Sequence, residues 1–324
     1  MPKQFVSQIV PPLSLLLLSI GSVALQAEEN ALRWNNEIGV GYGYESNVTV
    51  EEIDFNASLG DQYLTYDAKI GAKYQFTENQ SVSLSVKGSE KQYQDAEQLD
   101  LSNRFISTGY AIKANKITYG VDFRFINTDL NDDEFLQLRL YSPYVSGFLS
   151  KQQFVRFGWN YGNKTLISQP DRDATSNQFT ADYYYFVNGL KQYLILGAKY
   201  KNENTQDDQF SFDGLQLRAA YEFRFQLLER PTKARITTQY RKRDYDNANL
   251  NASDPDESDQ GDGDQNGDGL ARQDKRQQVS LMLESEIIDD LSVNMQGAYI
   301  DNDSDIQSLS YHEKQLAMRV KYQF

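Results

Sequence analysis

The sequence ends in Leu316-Ala317-Met318-Arg319-Val320-Lys321-Tyr322-Gln323-Phe324. Leu316, Met318, Val320, Tyr322 and Phe324 are apolar or aromatic, and Ala317, Arg319, Lys321 and Gln323 alternate with them. A strict period of two marks a β-strand with one apolar and one polar face. In a soluble protein such a strand would be an adhesive edge. A barrel that closes on itself in a membrane removes the edge and turns the apolar face to lipid. The ending therefore predicts an all-β fold, a transmembrane antiparallel up-and-down barrel.

Phe324, with the aromatic Tyr322 two residues before it, resembles the last strand of Gram-negative outer-membrane barrels. In those barrels the two residues form the signal read by the barrel assembly machinery. The resemblance implies that role for Tyr322 and Phe324, and a place in the cell outer membrane. The other end agrees. Lys3 gives a short positive region, and an apolar stretch follows that includes Leu13-Ser-Leu-Leu-Leu-Leu18. Small residues and Ala27 then precede Glu28-Glu29. This pattern predicts a secretory signal peptide cut after Ala27, with Ala24 as the other candidate. The apolar run is shorter than the ~20 residues of a spanning helix. The expected organisation is a signal peptide at 1–27 and a barrel at 28–324. The chain has no Cys, so it has no lipobox, disulfide or thiolate chemistry.

Past the leader there is no long apolar run, and the mean hydropathy is −0.64. That excludes a helical membrane protein. It does not exclude a barrel, in which only alternate residues meet lipid. Tyr (22) and Phe (17) are abundant and Pro (7) is scarce, as strands with aromatic girdles require. The net charge of −14 argues against nucleic-acid binding.

The alternating stretches recur along the chain. Trp34 to Tyr44 places Ile38, Val40, Tyr42 and Tyr44 on one face, with Glu37, Gly39, Gly41 and Gly43 on the other. Further strands are expected near 64–76, 82–86, 102–113, 119–125, 136–140, 155–161, 179–187, 191–200, 215–225, 234–240, 279–287, 291–299 and up to Phe324. The longer polar intervals are 45–60, 95–100, 127–133, 163–176, 201–209, 244–274 and 301–308. They fall on the outer side, and tight turns such as Thr77-Glu-Asn-Gln80 and Asn188-Gly189 fall on the periplasmic side. Fourteen strands result, an even number as bacterial barrels require. Weak alternation at 102–113 and 191–200 leaves twelve or sixteen open.

If the apolar residues face lipid, their neighbours face the lumen. That rule sends Arg124, Arg139, Arg156, Arg218, Arg224, Arg235 and Arg319 inward, with Lys69, Lys73, Lys87, Lys233, Arg241, Arg243 and Lys321. Acidic partners are fewer: Asp67, Asp122, Glu222, Glu284 and Glu286. A basic lumen has two explanations. One is a ladder of cross-strand salt bridges that fills the barrel. The other is a water-filled pore that favours anionic or sugar solutes.

Asp264-Gln-Asn-Gly-Asp-Gly269 matches the first half of a calcium loop, but Lys275 stands where the bidentate Glu belongs. A solvated acidic outer segment, bridged to lipopolysaccharide by divalent ions, is the simpler reading. No metal and no cofactor are expected. The single histidine, His312, has Ser310 two residues away on the face away from the lumen. Without a second His, a triad or zinc site has little to build on, and no enzyme activity is expected.

Gly41-Tyr-Gly-Tyr-Glu-Ser-Asn47 and Ser310-Tyr-His-Glu313 are similar to the barrel domain of surface lipoprotein assembly modifier proteins. That resemblance implies fourteen strands. The periplasmic tetratricopeptide domain of that family has no counterpart in this sequence. The size and strand number also resemble small monomeric porins that pass oligosaccharides. The leading expectation is a passive pore for small solutes, as a monomer in contact with outer-membrane lipid and lipopolysaccharide. The alternatives are a translocation or assembly scaffold for a protein or polysaccharide partner, and a closed structural barrel that displays acidic surface loops.

Overall fold

The computed structural model describes residues 31–245 and 272–324. The expected signal peptide and the calcium-loop half-motif lie outside the described residues, as does most of the expected 244–274 loop. The first two strands, β1 (Leu32–Trp34) and β2 (Glu37–Glu45), both pair with β5 (Asp61–Thr77) and together form one stave of the barrel. Between β2 and β5 a short hairpin, β3 (Thr49–Val50) and β4 (Phe55–Asn56), encloses one 3₁₀ turn.

The wall continues as β6 (Gln80–Tyr93), β7 (Leu101–Ala114), β8 (Ile117–Leu130), β9 (Asp133–Ser150) and β10 (Gln153–Leu166). It goes on through β11 (Ala174–Phe186), β12 (Gln192–Thr205), β13 (Phe212–Leu227) and β14 (Arg230–Tyr245). The last members are β15 (Gln273–Ile288), β16 (Leu291–Ser304) and β17 (Tyr311–Gln323). Every neighbour is antiparallel, and β17 pairs with β2 through Leu316↔Tyr44, Met318↔Tyr42 and Val320↔Val40. The sheet is thus a closed barrel of fourteen staves.

Alternation decides which face meets lipid. Ile38, Val40, Tyr42 and Tyr44 of β2 are exposed on the outside, as are Leu316, Met318 and Tyr322 of β17. A spanning strand needs about 9–11 residues. β5 has 17 and β9 has 18, so the wall rises above the bilayer on the outer side. There the outward face becomes polar: Arg104 bonds Asp129 and Asn127, and the Tyr200 hydroxyl donates to Asp213 at 2.9 Å.

The expected outer loop 127–133 is not one. β8 and β9 run on to a two-residue turn, Asn131-Asp132, with both residues at positive φ (50° and 65°). That is the twist a tight hairpin needs, and Asn and Asp tolerate it. Phe135 bulges out of the β8–β9 register just below the turn, between Thr128↔Leu136 and Asp129↔Glu134, and is buried.

Candidate functional site

The interval 46–60 does not stand up into solvent as a free loop. Val48 and Val50 are 1% and 5% exposed, packed with Tyr93, Leu99, Phe135 and Leu166 from staves and turns on one side of the barrel. The β3–β4 hairpin also reaches the other side. Glu51 meets Arg241 (2.8 Å), Arg243 (3.7 Å) and Arg276 of β14 and β15. Asp54 accepts two bonds from Arg272, at 3.0 and 2.9 Å, and a third from Arg172 at 2.9 Å. Arg172 comes from the turn between β10 and β11, and it also donates to the Glu52 carbonyl at 3.2 Å. With anchors on β6, β9, β10, β14 and β15, the hairpin is a strap across the outer mouth.

The clamp is reinforced from beneath. The Arg272 guanidinium lies over Tyr245 at 4.2 Å and also bonds Asp274, while Arg172 lies over Phe210 at 3.9 Å. Planar guanidinium groups suit this combination of bidentate pairing and stacking. Burial by itself would raise the Asp54 pKa. The hydrogen bonds and charge of Arg272, joined by Arg172, outweigh it and hold the carboxyl below its ordinary 3.8.

The folded pKa is depressed, so the clamp contributes in full above 3.8 and is lost as pH falls through the lowered value. In a planar bilayer the barrel should be silent at neutral pH and begin to conduct only below pH 3.8. Opening already near pH 6 would assign the latch to another group.

Below the strap lies a cavity of about 460 Å³. Glu51, Glu52 and Asp54 roof it, and its walls include Arg124, Arg156, Lys199, Leu136, Leu138 and Leu140. Leu138 and Leu140 therefore face inward, which corrects the expectation for Arg139. Arg139 pairs with Phe125 and Asn163 in register and points outward, next to the outer aromatics Phe123, Tyr141 and Tyr161. The physical reason is that lipid is not the only apolar surface here. Leu136 packs on the core beneath the strap, and Leu138 and Leu140 line the cavity, so on β9 the leucines belong to the inside.

The other six arginines project inward, and five of them are paired. Arg156 meets Asp122 (3.3 Å) and Arg218 meets Asp182 (2.9 Å). Arg235 donates through Nε to Glu222 (2.9 Å), and Arg224 lies 3.9 Å from the same carboxylate. Arg319 bridges Asp67 (2.8 Å through Nε) and Glu37 (2.6 Å). Lys233 and Lys321 share Glu284 at 3.0 and 3.1 Å. Arg124 has no ion-pair partner among the described residues. The interior is therefore a salt-bridge ladder over most of its wall, with an unpaired basic zone around Arg124.

Two features were missed by the alternation rule. One is the strap; its signal was the set of apolar Val48, Val50, Ile53 and Phe55 inside an interval taken for a polar loop. The other is an inward aromatic patch at the periplasmic mouth. Phe148 and Phe154 (5.1 Å between ring centres), Tyr184 (5.6 Å from Phe154), Phe186 and Tyr193 (5.8 Å apart) come from four consecutive staves, β9 to β12. On the outer surface His312 stacks on Tyr299 and bonds Asp301 at 2.9 Å, while the Ser310 hydroxyl is held by Ser304. Among the described residues no group of three or more His, Asp or Glu is placed to hold a metal ion.

A family model described as surface lipoprotein assembly modifier matches residues 34–324, nearly the whole barrel. The chain belongs to the surface lipoprotein assembly modifier family. No curated protein sequence matches it. Among solved structures this family member is similar to OmpT, an outer-membrane protein of Vibrio cholerae folded in vitro. The TM-score is 0.52 at 10% identity, over 92% of this chain and 99% of that one. It is also similar to an anion-selective porin from Comamonas acidovorans, with a TM-score of 0.50 at 7% identity, over 91% and 99% of the two chains. At such identities the likeness shows the fold, an outer-membrane β-barrel of Gram-negative type, and nothing finer.

Proposed function

We propose that this barrel acts in the transfer or assembly of surface lipoproteins at the outer membrane, rather than as a passive pore. The observation that carries the reading is the family match across residues 34–324. The strap supports it. A porin keeps a standing aqueous path, whereas here Glu51 and Asp54 tie a hairpin across the outer mouth to five arginines. A gate of that kind suits an occasional large cargo better than a steady flux of solutes. The partner is then a lipoprotein segment presented from the periplasmic side, and small anions or sugars are not the cargo.

In host cells without this chain, surface lipoproteins should still be synthesised and lipid-modified. They should lose most of their accessibility to protease added outside intact cells, and re-expression should restore it. Undiminished accessibility would sink the reading.

A further inference from the structure

Several unpaired cations of the lumen stand together. Lys69 of β5 stands directly opposite Lys87 of β6, and Arg33 of β1 stands directly opposite Lys73 of β5. All four lie on the inward face; Arg33, Lys69 and Lys73 share a recess of about 650 Å³ with Arg124 of β8, and Lys87 lies over the Phe105 ring beside it. Like charges directly opposite one another weaken a sheet. The carboxylates that face this zone are already engaged: Glu37 of β2, which stands opposite Lys69, and Asp67 by Arg319, and Asp122 by Arg156. Among the described residues none of the five cations has an ion-pair partner, whereas Arg156, Arg218, Arg235, Arg319, Lys233 and Lys321 are all paired. A fold selected only for stability would place a carboxylate in one of these pairs, as β13 and β14 do with Glu222 and Arg235.

The zone has an apolar neighbour. On β10, Arg156 borders the basic recess and Phe154 is two residues away on the same face, within the aromatic patch. Arg156 itself lies over Tyr144 at 3.7 Å. Phe148 is 52% exposed, although lumen walls are normally polar. One half of the periplasmic vestibule therefore offers free positive charge, and the adjoining half offers exposed rings.

We infer that this vestibule is a binding site for an extended polypeptide segment with carboxylates along one side and apolar side chains along the other. The inference rests on the proposed role in lipoprotein assembly and names what the site would recognise in the cargo. Extended chain alternates its side chains by two, so one strand-like segment presents both chemistries at once. Lys69, Lys73 and Arg124 take the carboxylates, and the rings of Phe154, Tyr184 and Phe186 take the apolar side. A phosphorylated lipid would offer the same charge, and the test separates the two.

Purified full-length barrel in detergent is titrated into acetyl-(Glu-Leu)₄ carrying an uncharged fluorophore, and anisotropy is read. The peptide should bind, binding should weaken with added salt, and acetyl-(Lys-Leu)₄ should not bind. The triple variant K69Q/K73Q/R124Q should lose at least about ten-fold in affinity, as expected when several charge-assisted contacts vanish. Its melting temperature should be equal to or higher than that of the parent, because the opposed charges are relieved. Absence of binding, unchanged affinity in the variant, or a variant that melts lower would each overturn the inference, the last because the cations would then be structural. Displacement of the peptide by lipid A micelles at lower concentration would assign the site to phosphorylated lipid and overturn it too. Lipoprotein display in cells decides the assembly reading separately. If the triple variant displays lipoproteins normally while cells without the chain do not, the vestibule inference fails and the assembly role stands.

Discussion

Exchanging Glu51 and Asp54 for arginine turns the silent barrel into a standing channel. Glu51 faces three guanidinium groups and Asp54 two, and these contacts hold the strap to the wall opposite its apolar side. Removing one partner from a buried ion pair costs about 3–5 kcal/mol, because the other charge is left uncompensated. Burial of a valine returns about 1.5–3 kcal/mol, so Val48 and Val50 together offset at most a comparable part of the loss of both carboxylates. Two new positive charges beside Arg241, Arg243, Arg272 and Arg276 add repulsion. In planar bilayers E51R/D54R should show steady openings at pH 7, while the parent stays at baseline. Asp54→Asn should give the same openings less often. A double variant that stays silent, yet still runs as a heat-modifiable folded barrel on a gel, would show that the strap is not the barrier.

Loss of Arg319 should have the largest effect on stability. This residue sits at the seam where β17 meets β2 and bonds Glu37 of β2 and Asp67 of β5, so it ties three staves together. The neighbouring position on β2 is Gly39, directly opposite Lys321, and a Cβ there would lie 2.5 Å from the Arg319 Nε. The guanidinium is fixed by two carboxylates and cannot easily step aside, so the absence of a side chain at Gly39 makes its place. Arg319→Ala leaves Asp67, whose side chain is 8% exposed, without its partner. The cost should be about 3 kcal/mol, the lower end for a broken buried pair. Gly39→Leu should cost a similar amount by pushing the guanidinium out. Both are read as a lower urea midpoint for the folded band in a refolding gel. A midpoint within experimental scatter of the parent would mean that backbone pairing alone holds the seam.

Much of this was legible before any coordinates. A β-strand has a period of two and a membrane offers one apolar phase, so alternation in Leu316–Phe324 and Ile38–Tyr44 is enough to give strand, barrel and facing. The same rule turned Arg124, Arg156, Arg218, Arg224, Arg235 and Arg319 inward. It failed at Arg139 because it assumes that apolar side chains seek lipid. On β9 the leucines seek the strap and the cavity beneath it, and nothing local to 136–140 announces that second apolar phase.

The charge list was equally readable, but its pairing was not. Whether a lumen arginine is a free cation or half of a salt bridge depends on which strand stands beside it and at what register. Arg218 and Arg124 look alike in the sequence; only Asp182 beside the first separates them. The strap is the extreme case. Asp54 meets Arg172 from 118 residues away and Arg272 from 218 residues away. Sequence alone determined a period-two membrane barrel with many inward cations, because those properties follow from local alternation and composition, and the resemblance of its last strand added the outer membrane. Tertiary structure decided that a hairpin is tied across its outer mouth and that one zone of its wall keeps its charge unspent. Both depend on contacts between residues that only closure of the sheet brings together.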